Sequence, residues 1–298
     1  MLTGILNINK PINFTSHDTI NKLRKILKTK KIGHAGTLDP LAIGVLPVFI
    51  GKYTKLIQFL PGEKEYIAEI TLGITTDSYD SEGEILSKQK GETNQTIITE
   101  KLLNYTGTIQ QQVPLKSATH YKGKKLYKYA HKGIIIDDLP SKPVTIYNIE
   151  LLDISYIEID HPVIKVKIEC SAGTYIRSIA NDLGKDLNCG AYLSNLIRTK
   201  SSGLHLDDSI TLDELSHIVD TNTLEQFLVD PRELINWPAC IINNDLINKV
   251  FLGQFIKLEN TFFEHNQRIF LINNNNQIQA VGRYDSINDL IKPEIVFA

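Results

Sequence analysis

Apolar residues fall into two periodicities along this chain, and the switches between them outline its elements. Ile20, Leu23, Ile26 and Leu27 recur at three- and four-residue spacing with Lys22, Arg24, Lys25 and Lys28 between them, which predicts an amphipathic helix with a basic outer face, N-capped by Ser16. Tyr66, Ala68, Ile70 and Leu72 alternate with polar or outward positions, as do Ile164, Val166, Ile168 and Cys170 against Lys165, Lys167 and Glu169, and both runs predict half-buried strands. After the second strand Gly173-Thr174 opens a helix whose Ile176, Ile179, Ala180, Leu183 and Leu187 form a core-facing stripe, so Tyr175 and Arg177 fall at a strand-to-helix junction. Thr211-Leu212-Asp213-Glu214 reads as a capping box starting an acidic helix, Asp230-Pro231 as a boundary, and Asn273 to Asn276 as a hairpin tip or loop. Strands come in runs with helices interposed and no regular βαβ alternation, which predicts an α+β fold with a mostly antiparallel sheet.

With 298 residues and 42% hydrophobic content, the chain can bury one large core and a small one, read as domains 1–230 and 231–298. No apolar run reaches the roughly 18 residues a membrane helix needs, and the first residues lack the charged and apolar regions of a signal peptide, so a soluble cytoplasmic protein is expected. Cys170, Cys189 and Cys240 are odd in number and widely separated, which argues against a disulfide framework or a thiolate zinc site.

The net charge of −2 conceals strong segregation. Lys22, Arg24, Lys25, Lys28, Lys30 and Lys31 lie between Asp18 and Asp39 with no acid among them, and the acid-free stretch from Lys101 to Ile136 carries Lys116, Lys122, Lys124, Lys125, Lys128 and Lys132. Asp207 to Asp230 holds seven acids and no Lys or Arg. One face is therefore suited to neutralising phosphates, and Tyr121, Tyr127 and Tyr129 within the second basic stretch add rings able to stack on unpaired bases. A plain solvated charge run is the alternative.

The most informative segment is Gly33-His34-Ala35-Gly36-Thr37-Leu38-Asp39-Pro40-Leu41-Ala42-Ile43-Gly44-Val45-Leu46-Pro47-Val48-Phe49. It sets one carboxylate in a glycine-punctuated turn, with Pro40 restricting the Asp39 backbone to extended conformations. Asp39 is a candidate catalytic group, and a turn in which it only caps the backbone is the competing reading.

This segment, continued by Gly51-Lys52-Tyr53-Thr54-Lys55, resembles the catalytic motif of the TruB family of pseudouridine synthases, which modify uridine 55 in the T-arm of transfer RNA. Gly4-Ile5-Leu6-Asn7-Ile8-Asn9-Lys10-Pro11 with Thr15-Ser16-His17-Asp18 is similar to the family's first motif. Cys170-Ser171-Ala172-Gly173-Thr174-Tyr175-Ile176-Arg177-Ser178, followed by Asp182-Leu183-Gly184 and Cys189-Gly190-Ala191, is similar to its C-terminal active-site motif.

The resemblance implies a largely antiparallel mixed sheet with a central cleft, a small β-rich PUA-like domain at 231–298, and an RNA-binding insertion at about 114–136. It implies Asp39 as the catalytic carboxylate, Arg177 as its ion-pair partner, and Tyr66 as the residue stacking on the flipped base and a candidate for removing the C5 proton. His34, Tyr175 and Leu196 match substrate-binding positions, while Lys10 and Pro11 are read as buttresses of the catalytic loop. No cofactor or metal is implied, the partner is the tRNA T-arm, and a monomer acting without guide RNA is expected. Lys116 stands where the family commonly has an aromatic, His120 and His131 where Lys and Arg are common, and Glu294 in the terminal PUA-like run where a basic residue is common. Two alternatives stay open: the synthase subunit of a guide-RNA particle, and a non-catalytic RNA-folding protein.

Overall fold

The computed structural model describes residues 2–297, apart from residues 118, 131, 135, 137, 157–158 and 259–261. His131 therefore lies outside the described residues.

A large mixed sheet dominates the structure. Besides the two-residue strand Leu204–His205, its strands are β1 (Gly4–Lys10), β2 (Ile32–His34), β3 (Ile43–Ile50), β4 (Lys64–Leu72), β5 (Gly107–Gln112), β6 (Ser141–Ser155), β7 (Val163–Cys170) and β8 (Ala191–Ser201). The order across the sheet is β1-β3-β8-β4-β7-β6-β5, with β2 added along β3. All these pairings are antiparallel except β8 with β3, so the α+β reading with a mostly antiparallel sheet holds. The alternation read from sequence places Tyr66, Ala68, Ile70 and Leu72 of β4, and Ile164, Val166, Ile168 and Cys170 of β7, in one buried cluster.

Helix α1 (Ser16–Ile26) packs Ile20 and Leu23 with Leu6, Ile8, Leu46 and Val48, and leaves Lys22, Lys25 and Lys28 exposed. Its cap is Thr15, not Ser16. The Asp18 N–H donates to Thr15 Oγ1 (3.0 Å) and the Thr15 N–H to Asp18 Oδ2 (3.1 Å), a reciprocal capping box one residue earlier than the hydroxyl spacing suggested. Ser16 is thereby freed to turn inward onto the loop that carries Asp39. Against the β4–β7 part of the sheet, α2 (Gln95–Leu103) and α3 (Ile176–Asp186) bury Ile98 and Leu102, and Ile179 and Leu183. Thr211 and Glu214 form the expected capping box of the helix Leu212–Asp220.

Strands Ala239–Ile241, Arg268–Ile272, Ile278–Asp285 and Leu290–Val296 form a separate four-stranded sheet in that order, with Asn273 to Asn276 in the hairpin between the second and third. Leu234, Phe270, Val281 and Phe297 share a core with Ile5, Val45, Phe49 and Leu56, so this sheet is welded to the β1–β3 edge.

The single parallel junction is the tightest point of the sheet. Arg198 pairs with Gly44, whose φ is +106°, and a Cβ there would fall 2.3 Å from the Arg198 carbonyl oxygen. Both the backbone conformation and the space demand glycine. Gly44→Ala is expected to destabilise the protein by about 2–4 kcal/mol, read as a lowered midpoint in chemical denaturation. A midpoint equal to that of the unaltered chain would contradict this account of the β3–β8 contact.

Candidate active site

Asp39 lies in the loop between β2 and β3, and three residues pin that loop. Ser16 Oγ accepts from the Leu38 N–H (2.8 Å) and donates to the Leu38 carbonyl (3.1 Å). The Asn13 N–H donates to the Pro40 carbonyl at 2.9 Å. Lys10 is completely buried, and its Nζ donates to the carbonyls of Pro11 (2.8 Å), Phe14 (2.5 Å) and Pro40 (3.3 Å). Burial holds its amine down to about 8, opposed by the Asp39 charge. The carboxylate is thus presented by a loop fastened on both sides, which is what a catalytic group needs to keep its geometry without reorganisation.

Arg177 stands in the first turn of α3, nearly buried, and is gripped by three acceptors. Nη1 donates to Asp80 Oδ2 (2.9 Å), Nη2 donates to the Lys116 carbonyl (2.9 Å), and Nη2 lies 3.5 Å from Asp39 Oδ2. The ion pair with Asp39 is present, yet the closer carboxylate is that of Asp80, 1% exposed and fixed by the Ser78 hydroxyl (2.5 Å) and the Glu82 N–H (3.1 Å). Asp39 keeps a side chain 35% exposed along the cleft. Burial pushes its carboxyl above the ordinary range, Arg177 pulls it back, and Asp80 pushes it up again.

The cleft around Asp39 has a volume of about 460 Å³, and Tyr66, Tyr175, Arg177, Leu196 and Lys64 line it. Tyr66 and Leu196 project from neighbouring strands, where Ala68 is the direct partner of Leu196. Burial pushes the Tyr66 phenol up, with the Arg198 guanidinium beside it opposing the shift. A neutral phenol in an apolar wall is a stacking surface first and a proton acceptor only at added cost. Tyr175 caps α3, exchanges a hydrogen bond with Thr119 (3.0 Å) and lies under the Lys142 ammonium, 4.6 Å from its ring centre.

The family description "TruB family pseudouridylate synthase (N terminal domain)" matches residues 24–176, and "tRNA pseudouridylate synthase B C-terminal domain" matches residues 177–235. The chain belongs to the TruB family. A tRNA pseudouridine synthase B of Bacillus pumilus is 39% identical over 300 residues, 98% of this chain and 97% of its own length. That of Trichormus variabilis is 44% identical over 86% of this chain and 87% of its own. Among solved structures, a Cbf5-Nop10-Gar1 complex superposes with a TM-score of 0.71 at 24% identity, covering 99% of this chain and 85% of that one, which is a likeness of fold.

Of the positions this TruB-family chain was expected to use, Asp39, Tyr66, Tyr175, Arg177 and Leu196 converge on one cleft. His34 does not line it. Its side chain lies half-buried on β2 with Nδ1 lacking a partner, and burial, followed by the Arg198 and His17 charges, lowers its imidazole. Part of the 114–136 segment forms a small hairpin (His120–Tyr121 with Lys124–Lys125) and a turn of helix (Tyr127–Ala130), with Leu126 buried and Lys122, Lys124 and Lys128 exposed. Lys116 contributes its backbone to Arg177 and its ammonium to Asp77 (2.9 Å), a use of this position that does not depend on an aromatic side chain.

Sequence reasoning missed Asp80 and Lys64. Asp80 sits in the acid-rich turn Asp77-Ser78-Tyr79-Asp80-Ser81-Glu82, 97 residues from Arg177, and no local periodicity links the two. Among the described residues no group of three or more His, Cys, Asp or Glu side chains could hold a metal ion, and all three cysteines are free.

Proposed function

We propose that this chain is a stand-alone tRNA pseudouridine synthase that flips uridine 55 out of the T-loop and isomerises it at Asp39. The observation that carries the reading is a carboxylate on a clamped loop, 3.5 Å from a buried guanidinium, in a cleft walled by Tyr66 and Leu196. In the reaction the N1–C1′ bond breaks, the base turns, and a C5–C1′ bond forms while C5 loses its proton and N1 gains one. Nothing is oxidised or reduced, so one ionised carboxylate near C1′ with a fixed cation beside it suffices to manage the developing charge.

Extrusion of the base leaves a gap that apolar and aromatic side chains must fill. Tyr66 serves as the stacking face, Leu196 and Tyr175 shape the pocket, and His34 supports displaced loop bases from its place beside it. The exposed lysines of α1 and of the 114–136 hairpin supply phosphate contacts. The four-stranded C-terminal sheet is read as PUA-like. Its Arg268 and Arg283 are both tied to Glu294, so this sheet adds little to RNA binding. The enzyme acts in the cytoplasm as a monomer without guide RNA, and its named relatives support tRNA as substrate.

Tritium release from tRNA labelled at uridine C5 tests the reading. One label released per T-loop, with none from a transcript carrying cytidine at that position, is the expected result. Release only after a separate guide RNA is added, or tight binding with no release at all, would replace it with the guide-dependent or the non-catalytic reading.

A further inference from the structure

Among the described residues, the fully buried cations around the cleft all have acceptors, whereas the half-buried Lys64 has none. Lys10 has three carbonyls, Arg177 has two carboxylates and a carbonyl, and Arg198 gives Nε to the Val45 carbonyl (2.7 Å) and Nη2 to that of Gly36 (3.0 Å). Lys64, two residues before Tyr66 on the same face of β4 and lining the same cleft, has neither a hydrogen bond nor an ion pair from its ammonium among the described residues. The charges that weigh on its ammonium are cations, Arg198, whose Nη1 is itself buried without a partner, and Lys142, while Glu63, Glu65 and Glu169 line a second pocket with Lys64 without pairing to it. The nearby Cys170 thiol is held protonated, pushed up by burial to about 11. Gly36 makes room for this arrangement, since a Cβ there would stand 3.0 Å from Lys64 Nζ and 3.4 Å from Arg198 Nη1.

An unpaired, desolvated ammonium facing two further positive groups is costly in the free protein. Resting on the synthase reading above, we propose that Lys64 is an anion subsite of the cleft that binds a backbone phosphate flanking the flipped uridine. The nucleoside itself is neutral, so its phosphates are the anions it carries into the cleft. A uracil carbonyl could accept a hydrogen bond from Lys64 but would leave the excess positive charge unbalanced. Lys64 lies beside Gly36, three residues before Asp39 on the same loop, and lines the same cleft, so gripping a phosphate there while Arg177 holds Asp39 would fix both the nucleotide and the carboxylate that acts on it. Burial, helped by Arg198, lowers the Lys64 amine to about 8, and a phosphate would restore its proton, so RNA binding through this group should take up protons above that pH.

The test is a coupling cycle between Lys64→Gln and neutral methylphosphonates placed singly 5′ and 3′ of the target uridine in a T-arm stem-loop, with Kd read by fluorescence anisotropy in the Asp39→Asn background. One of the two methylphosphonates should weaken binding to Lys64 protein about 10-fold and leave the already weaker Lys64→Gln protein unaffected. Equal losses in both proteins at each position, or no loss at either, would overturn the assignment. Lys64→Gln should also melt no lower than its parent, because it removes an uncompensated charge; a lower melting point with normal RNA affinity would instead mark Lys64 as structural. The two readings fail separately. Tritium release by the unaltered enzyme without this coupling sinks only the phosphate subsite, whereas coupling without release sinks only the synthase reading.

Discussion

Asp39→Asn is expected to lose pseudouridine formation by at least about 10⁴-fold while keeping RNA affinity within a few-fold and its melting temperature close to that of the unaltered enzyme. The loop does not depend on the carboxylate for its shape. Ser16 holds Leu38, Lys10 and Asn13 hold Pro40, and the Asp39 carbonyl accepts from the Ala42 N–H (3.1 Å), all through atoms that Asn retains or does not touch. What disappears is the negative charge facing Arg177, and with it the group positioned to meet charge developing at C1′. Single-turnover assays on labelled tRNA give the rate, and filter binding gives the affinity. A residual rate within about 10-fold of normal would remove Asp39 from the chemistry.

The second large effect comes from Arg177, and its sign depends on which partner is altered. Arg177→Met leaves Asp80 buried at 1% exposure without its cation, a loss of roughly 3–5 kcal/mol of stability, and it withdraws the charge that pulls Asp39 down. A group whose ionised form is required limits activity on the acid side, so the acid limb of kcat/KM should move to higher pH in this variant. Asp80→Asn removes a carboxylate that pushes Asp39 up, so the same limb should move to lower pH. Combining Arg177→Met with Asp80→Asn should recover most of the lost stability and none of the lost turnover. Arg177→Lys keeps the charge but not the fork that spans Asp80, Asp39 and the Lys116 carbonyl, and should cost on the order of 10²-fold in kcat. Limbs that move the same way in the Arg177 and Asp80 variants, or an Arg177→Lys enzyme of normal rate, would break the electrostatic account.

The elements that were legible in advance share one property: their pattern closes within a turn or two of chain. The stripe Ile176, Ile179, Ala180, Leu183 does face the core, the alternation in β4 and β7 does set one buried face, and Thr211 and Glu214 do cap their helix. Where a local choice was nearly degenerate, prediction slipped by one residue. Thr15 and Ser16 are both capable caps, and the decision fell to Leu38, 22 residues from Ser16, whose backbone gave the Ser16 hydroxyl a buried partner.

By itself the sequence determined the fold class, the basic outer face of α1, the motif that places Asp39 in a restrained turn and the strand-to-helix junction that carries Arg177. Only the tertiary structure decided that Arg177 answers first to Asp80, that Lys10 reaches the Pro40 carbonyl beside Asp39, that His34 stands outside the cleft and that Lys64 is left facing it without a counter-charge. Periodicity and capping are set by bonds to near neighbours and can be read along the chain. The partner of a buried charge is set by which strands lie side by side, and for Arg177 and Asp80 that meeting spans 97 residues.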